Sequence, residues 1–224
     1  MEGLEWTPLI LTIKLATITT IILLFLSIPI AYNLTYSNIR FKSVYEVIIT
    51  LPLVLPPSVL GFYLLLLMGK NGILGKVWEN IAGHQLAFHF EGVVLASVVF
   101  SLPFMVHPLI SGFKSVPITL IEASYTLGKS KFTTLFNVIL PNMKSAILTG
   151  ITLSFAHTIG EFGVVLMIGG NIDGETRVIS IAIYDSVEKL DYTTAHTYSF
   201  ILFAVSFLTL LTVHKLNRKL EVRF

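Results

Sequence analysis

The chain of 224 residues has no cysteine, which excludes disulfides and thiolate metal sites. Charge is scarce as well: Asp, Glu, Lys and Arg together supply 12% of the residues, too few to coat a soluble domain of this size. The 15 basic and 13 acidic residues nearly cancel, so no electrostatic footprint for nucleic acid exists. The N-terminus lacks both a basic flank and a small-residue cleavage site, so the first apolar run is expected to be a retained anchor. What is present in excess is apolar. Hydrophobic residues make up 54% of the chain and the mean hydropathy is +0.82, which calls for lipid as solvent.

Crossing about 30 Å of hydrocarbon takes roughly 20 apolar residues in a helix. Five runs meet that requirement, at about 9–34, 44–68, 93–113, 146–168 and 193–213. The fold class expected is an all-α membrane protein in which residues 1–224 form one domain with five transmembrane helices. An odd number of spans puts the termini on opposite sides. The segments after runs one, three and five carry Arg40, Lys42, Lys114, Lys129, Lys131, Lys144, Lys215, Arg218, Lys219 and Arg223. The other two loops carry Lys70, Lys76, Arg177 and Lys189, and Lys14 lies near the outer end of run one, where it can snorkel. The positive-inside rule therefore predicts an outside N-terminus and a cytoplasmic C-terminus.

Run two holds Pro52, Pro56, Pro57 and Gly61 in "LPLVLPPSVLG". Proline removes a backbone donor and clashes with the preceding turn. At membrane depth the break is tolerable only where protein or a water-filled cavity surrounds it. It serves either as a packing kink or, as broken helices do in transporters, as part of a route. Ser58 and Gly61 are the candidates on the second reading.

Between runs three and four, Gly128-Lys129-Ser130 reads like the tail of a phosphate-binding loop. That loop needs a glycine five positions before Gly128, after a buried strand, and Ala123 stands there. A helical reading fits better. Pro117 suits a first helical position, and Leu120, Ile121, Ser124 and Leu127 recur at helical spacing. Gly128 ends that helix in a left-handed turn. A second amphipathic piece spans 132–139, and Pro141 helps set the start of run four. On periodicity alone, the element is equally a helix lying on the bilayer surface.

The stretch "EASYTLGKSKFTTLFNVILP" resembles the cytoplasmic signature of ABC-importer permeases. Glu122, Ala123, Gly128, Leu140 and Pro141 match at their spacing, while Ser124 replaces a second alanine and Val138 an isoleucine. "LPLVLPPSVLGFYLLLLMGKNGILG", "VVFSLPFMVHPLISGF" and "HTIGEFGVVLMIGGNIDGETRVISIAIY" resemble the molybdate permease subunits of bacterial ABC importers, over nearly the whole chain. Sulfate/thiosulfate and tungstate permeases share much of this pattern. The resemblance implies a MetI-like permease fold in the bacterial inner membrane, with 114–142 as the coupling segment that docks on an ATPase. It further implies a homodimer, two copies of the ATPase subunit and one periplasmic oxyanion-binding protein. ATP and magnesium then belong to the ATPase partner, with no cofactor, metal site or catalytic residue in this chain.

An oxyanion route should hold its cargo weakly enough to release it. No arginine or lysine lies in the central part of any run, whereas run four offers Ser154, Thr158 and Gly160. Such hydroxyls serve equally well by bonding their own helix or gluing helices together. Run four also carries His157 and Glu161, expected at i and i+4 on one helical face, as a structural pair, a gate, a proton relay or part of a metal site. His107 is expected at the membrane interface, and His84, His89, His196 and His214 form no constellation. The loop 173–190 is expected to carry an outer-face helix with Val178, Ile181, Ile183 and Val187 on one side. An intramembrane enzyme built on His157 and Glu161 lacks a third ligand and a nucleophile with its base. An ion-coupled secondary transporter predicts internal repeats, and none is visible.

Overall fold

The computed structural model describes residues 5–37 and 40–221, with side chains as far as Thr212 and that of Lys215. Arg223 and Phe224 lie outside the described residues, as do the side chains of His214, Arg218 and Lys219. All described secondary structure is helical: α1 (Thr7–Tyr36), α2 (Lys42–Val54), α3 (Pro57–Met68), α4 (Ile73–Ala82), α5 (Phe90–Ser115), α6 (Ile118–Thr126), α7 (Lys131–Thr134), a π-helical turn (Leu135–Ile139), α8 (Leu140–Asn142), α9 (Lys144–Ile159), α10 (Gly163–Gly169), α11 (Ile179–Glu188) and α12 (Tyr192–Glu221).

Three stretches are long and apolar enough to cross a membrane unaided: Thr7–Tyr36, Phe90–Ser115 and Tyr192–Thr212. Two bent pairs bring the number to five if each is counted as one span. One is α2 with α3, bent by 113°, and the other is Lys131–Asn142 with α9, bent by 77°. Large apolar side chains such as Phe25, Val54 and Phe203 face outward, the reverse of a soluble domain.

The core is a packed triplet of α1, α5 and α9. Lipid is as apolar as leucine, so burial in the bundle gains little from the hydrophobic effect, and close packing must hold the helices together. Small residues line the contacts accordingly. Ala16, Ser27 and Ala31 of α1, Ala96, Ser97 and Ser101 of α5, and Ser154 of α9 are fully buried. A Cβ on Gly112 would come within 2.5 Å of the Ala146 Cβ, so α5 and α9 touch nearly backbone to backbone. Leu15, Leu23, Met105, Leu109 and Phe113 fill the space that remains.

Run two breaks at Leu55–Pro56, where neither Pro56 nor Pro57 can donate to the preceding turn. Run four is also discontinuous, which the hydropathy did not reveal. α9 stops at Ile159, Gly160 caps it, and the chain leaves helical geometry before α10 starts at Gly163. The short helices after the two breaks pack on each other. A Cβ on Gly61 of α3 would lie 2.9 Å from the Met167 Cβ, and one on Gly163 would lie 2.8 Å from the Pro57 Cβ. Only glycine permits that approach.

The two ends of the bundle differ. At one end, α11 meets the start of α1: the Ile179 N–H donates to Thr12 Oγ1 at 2.8 Å, and Arg177 lies 3.7 Å from Glu5. Asp185 binds Arg177 and Lys189, each at 2.8 Å. The Lys189 ammonium, with Arg177 beside it, holds the Asp185 carboxyl below the usual carboxylate range, against the opposing effect of burial. The buried side of α11 is Ile179, Ile181, Ala182 and Ser186, and Val187 is exposed, contrary to the side expected from the sequence. The tether to Thr12 and the packing of Tyr198 on Ile179 and Ala182 set that rotation. At the same end Lys14 places its ammonium 4.4 Å from the centre of the Phe90 ring, a cation–π contact. At the other end Tyr36, in the last turn of α1, donates to the Phe113 carbonyl at 2.7 Å, and the segment 116–143 projects from there as a helical hairpin.

Candidate functional site: the helical hairpin and the broken-helix centre

In the hairpin, Gly128 has φ +73°, in the left-handed region. Its N–H donates to the Tyr125 carbonyl at 2.9 Å, and the Lys129 N–H reaches back to the Ser124 carbonyl at 3.1 Å. Those two bonds form a Schellman stop for α6. Ser130 then caps α7, its Oγ accepting from the Thr133 N–H at 3.2 Å. Gly128-Lys129-Ser130 is thus a helix stop followed by a helix start. The Gly128 and Lys129 amides that a phosphate would need are already committed to carbonyls.

The expected second piece at 132–139 is less regular than its periodicity suggested. α7 ends after one turn, and Leu135–Ile139 widens into a π-helical turn before Pro141, which stands inside α8. The sharp bend into α9 falls at Met143, beyond Pro141. Ile121, Ile139 and Met143 anchor the hairpin in the core. Ser124 is buried and shares a hydrogen bond of 2.9 Å with Thr134 Oγ1, also buried. Glu122 and Ala123 are exposed, while Leu140 and Pro141 are half-buried. Leu127 and Phe132 present an exposed apolar surface, 76% and 72% accessible, and the Phe136 ring centre lies 4.7 Å from that of Phe132.

The centre joins the ends of the broken helices. Ser154 and Thr158 are buried among α5 and α9. Thr158 Oγ1 donates to the Ser154 carbonyl at 2.9 Å and lies 3.0 Å from Ser101 Oγ. His157 and Glu161 do not share a helical face, because α9 ends between them. His157 Nδ1 pairs with Ser101 Oγ at 2.9 Å, and its ring stacks on Phe104 with centroids 3.9 Å apart. Glu161 is 3% exposed, and the buried Ser97 hydroxyl is the hydrogen-bonding group at its carboxyl. The Ser154 hydroxyl, also buried, has no hydrogen-bond partner. The Glu161 carbonyl accepts from Ser180 Oγ at 2.6 Å, which ties the break to α11. Gly61 is buried against Met167, whereas Ser58 and Gly160 are exposed. Among the described residues, no cluster of three His, Asp or Glu side chains could hold a metal ion.

A third feature escaped the sequence reading. A groove of ≈ 600 Å³ runs between α5 and α9, where the hairpin joins them. His107, Ser111 and Ser115 of α5 face Ser145 and Thr149 of α9 across it, with Leu53 of α2 at the rim. His107 Nε2 lies 3.2 Å from Thr50 Oγ1. The available signal was polar residues at steps of four, 107/111/115 and 145/149, within otherwise apolar runs.

Residues 23–222 match the family described as binding-protein-dependent transport system inner membrane component. The molybdenum transport system permease protein ModB of Azotobacter vinelandii is 42% identical over 208 residues, covering 93% of this chain and 92% of the relative. A probable sulfate transport system permease protein of Chlorella vulgaris is 32% identical over 92% of this chain and 77% of its own length. The fold is shared with the inward-facing MetNI methionine ABC transporter, with a TM-score of 0.75 over 96% of this chain and 95% of that one at 15% identity. With five spans, a hairpin between the third and the fourth, and a family match over most of its length, the chain belongs to the binding-protein-dependent transport system inner membrane components.

Proposed function

We propose that the chain is the permease subunit of an ATP-driven importer that moves molybdate across the bacterial inner membrane. The observation that carries the substrate is the near full-length similarity to the Azotobacter molybdenum permease, which exceeds that to the sulfate permease. In this reading two copies of the chain form the pathway, with two ATPase subunits on the cytoplasmic side and an oxyanion-binding protein on the other. ATP and magnesium are held by the ATPase. The hairpin is the coupling element, and its exposed Glu122, Leu127 and Phe132 supply the docking face. The basic residues at 114–144 support its cytoplasmic placement, with the N-terminus outside and the C-terminus inside.

The route favoured by the geometry is the groove of His107, Ser111, Ser115, Ser145 and Thr149, ahead of the buried Ser154 and Thr158. Neutral hydroxyl and imidazole groups line it, with no arginine or lysine among the described lining residues to trap a dianion, which suits the release that transport requires. The α3–α10 contact at Gly61 and Met167 then closes the path above it.

The test is uptake into proteoliposomes that hold this chain, its ATPase and its binding protein. ATP-dependent accumulation of labelled molybdate, resisting excess sulfate, is the expected result. Accumulation of sulfate in its place would overturn the substrate. The isolated chain should hydrolyse no ATP. Reporter fusions after Phe224 and near Asn80 should report opposite sides of the membrane, and a shared side would overturn the orientation.

A further inference from the structure

We propose that Ser124 and Thr134 are positioning residues for energy coupling, acting by joining the two arms of the hairpin into one rigid body. The inference rests on reading the hairpin as the ATPase-docking element.

Ser124 lies where two connections cross. Its carbonyl accepts the Lys129 N–H at 3.1 Å, which closes the turn at Gly128. Its hydroxyl meets Thr134 Oγ1 at 2.9 Å, which binds α6 to α7 across that turn. Both side chains are buried, Ser124 at 6% exposure and Thr134 at 0%. Away from water, a hydroxyl left without its partner is costly, so the pair holds its geometry firmly. α6 also touches the second arm at the π-helical turn, with Ile121 and Ile139 in the same apolar cluster, so the hydroxyl pair is the buried polar link among these contacts.

Position matters as much as strength. Directly after Thr134 the chain enters the π-helical turn and then the bend into α9. Along the chain, a push on the exposed face of α6 reaches α9 through α7 and that wide turn. If the arms slide past each other, the displacement is absorbed in the hairpin. With the hydroxyl pair closed, α6 and α7 move together and α9 follows.

The test uses the full complex in proteoliposomes and reads molybdate taken up per ATP hydrolysed. Ser124→Ala and Thr134→Val each remove the same bond, so each should lower that ratio about tenfold, and the double variant should be no worse than either single. The exchange Ser124→Thr with Thr134→Ser keeps both hydroxyls and should restore the ratio to within about twofold. An unchanged ratio in the singles, or losses that multiply in the double, would overturn the proposal. Hydrogen–deuterium exchange of the assembled complex gives a second reading should uptake be too low to measure. Thr134→Val should speed exchange across both 118–126 and 131–134, and a change confined to 131–134 overturns the rigid-body role. Docking is tested separately by crosslinking from Leu127→Cys to the ATPase. No crosslink defeats the docking reading itself, whereas a crosslink with an unchanged ratio in Ser124→Ala defeats only the present inference.

Discussion

The hairpin and the broken-helix centre handle their polar groups in opposite ways. In the hairpin the hydroxyls of Ser124, Thr126, Ser130, Thr133 and Thr134 are all hydrogen-bonded, each to a group within ten residues in sequence. In the centre the Glu161 carboxyl is buried against the Ser97 hydroxyl, and the buried Ser154 hydroxyl has no partner. Its defining contact, Gly61 on Met167, joins residues more than a hundred positions apart. The hairpin is locally satisfied and suited to move as a unit. The centre buries a carboxyl away from water with few donors around it, which costs free energy and leaves it the easier region to rearrange.

The largest expected effect tests the packing of the centre. Gly61→Leu has no space, since its Cβ alone would sit 2.9 Å from the Met167 Cβ. It should destabilise the detergent-solubilised subunit by about 3 kcal/mol or more and abolish uptake, as overpacking of a close contact does. A normal melting temperature would show that α3 and α10 do not meet there. Next, Glu161→Met replaces a buried carboxyl, met by the Ser97 hydroxyl, with an apolar side chain of similar length. It should raise stability by about 1 kcal/mol in thermal unfolding, because one hydroxyl leaves most of the carboxyl's hydrogen-bonding capacity unmet. A loss of stability would show that the Ser97 contact satisfies the carboxyl and that the centre is not the easier region to rearrange.

The smallest effect belongs to the far end of the bundle. Because Asp185 titrates below its ordinary value, its ion pairs contribute fully above about pH 4 and are lost only as the pH falls through that lowered value. Hydrogen exchange in α11 should therefore show no Asp185-dependent change between about pH 5 and 8. Lys189→Ala should cost less than about 1 kcal/mol, since the lysine is 65% exposed. A steep change near neutral pH would mean that Asp185 is not paired as described.

The same contrast explains what could be read from the sequence. The hairpin was legible because its parts are contiguous: a proline start, a glycine stop and a serine restart within 14 residues, from Pro117 to Ser130. The break in run two was legible because Pro56 and Pro57 forbid a continuous helix. The break in run four was not, since Gly160 and Gly163 are tolerated inside membrane helices and the run stays apolar across them. That hidden break undid the pairing of His157 with Glu161, which assumed an unbroken turn. The groove at His107 escaped notice because α2, α5 and α9 meet only in three dimensions. The π-helical turn at 135–139 has no residue signature comparable to a proline.

The most direct measurement compares ATPase capture by two neighbouring variants in membranes. Gly128 sits at φ +73° with open space around it, so a side chain there meets backbone strain of about 1–2 kcal/mol and no clash. Gly128→Val should insert normally, yet tilt α6, weaken ATPase capture and stop molybdate uptake. Lys129→Ala, which removes only an exposed side chain, should leave both nearly unchanged. If Lys129→Ala abolishes capture and uptake while Gly128→Val is silent, the hairpin is not the coupling element, and Gly128-Lys129-Ser130 must be considered again as a phosphate site.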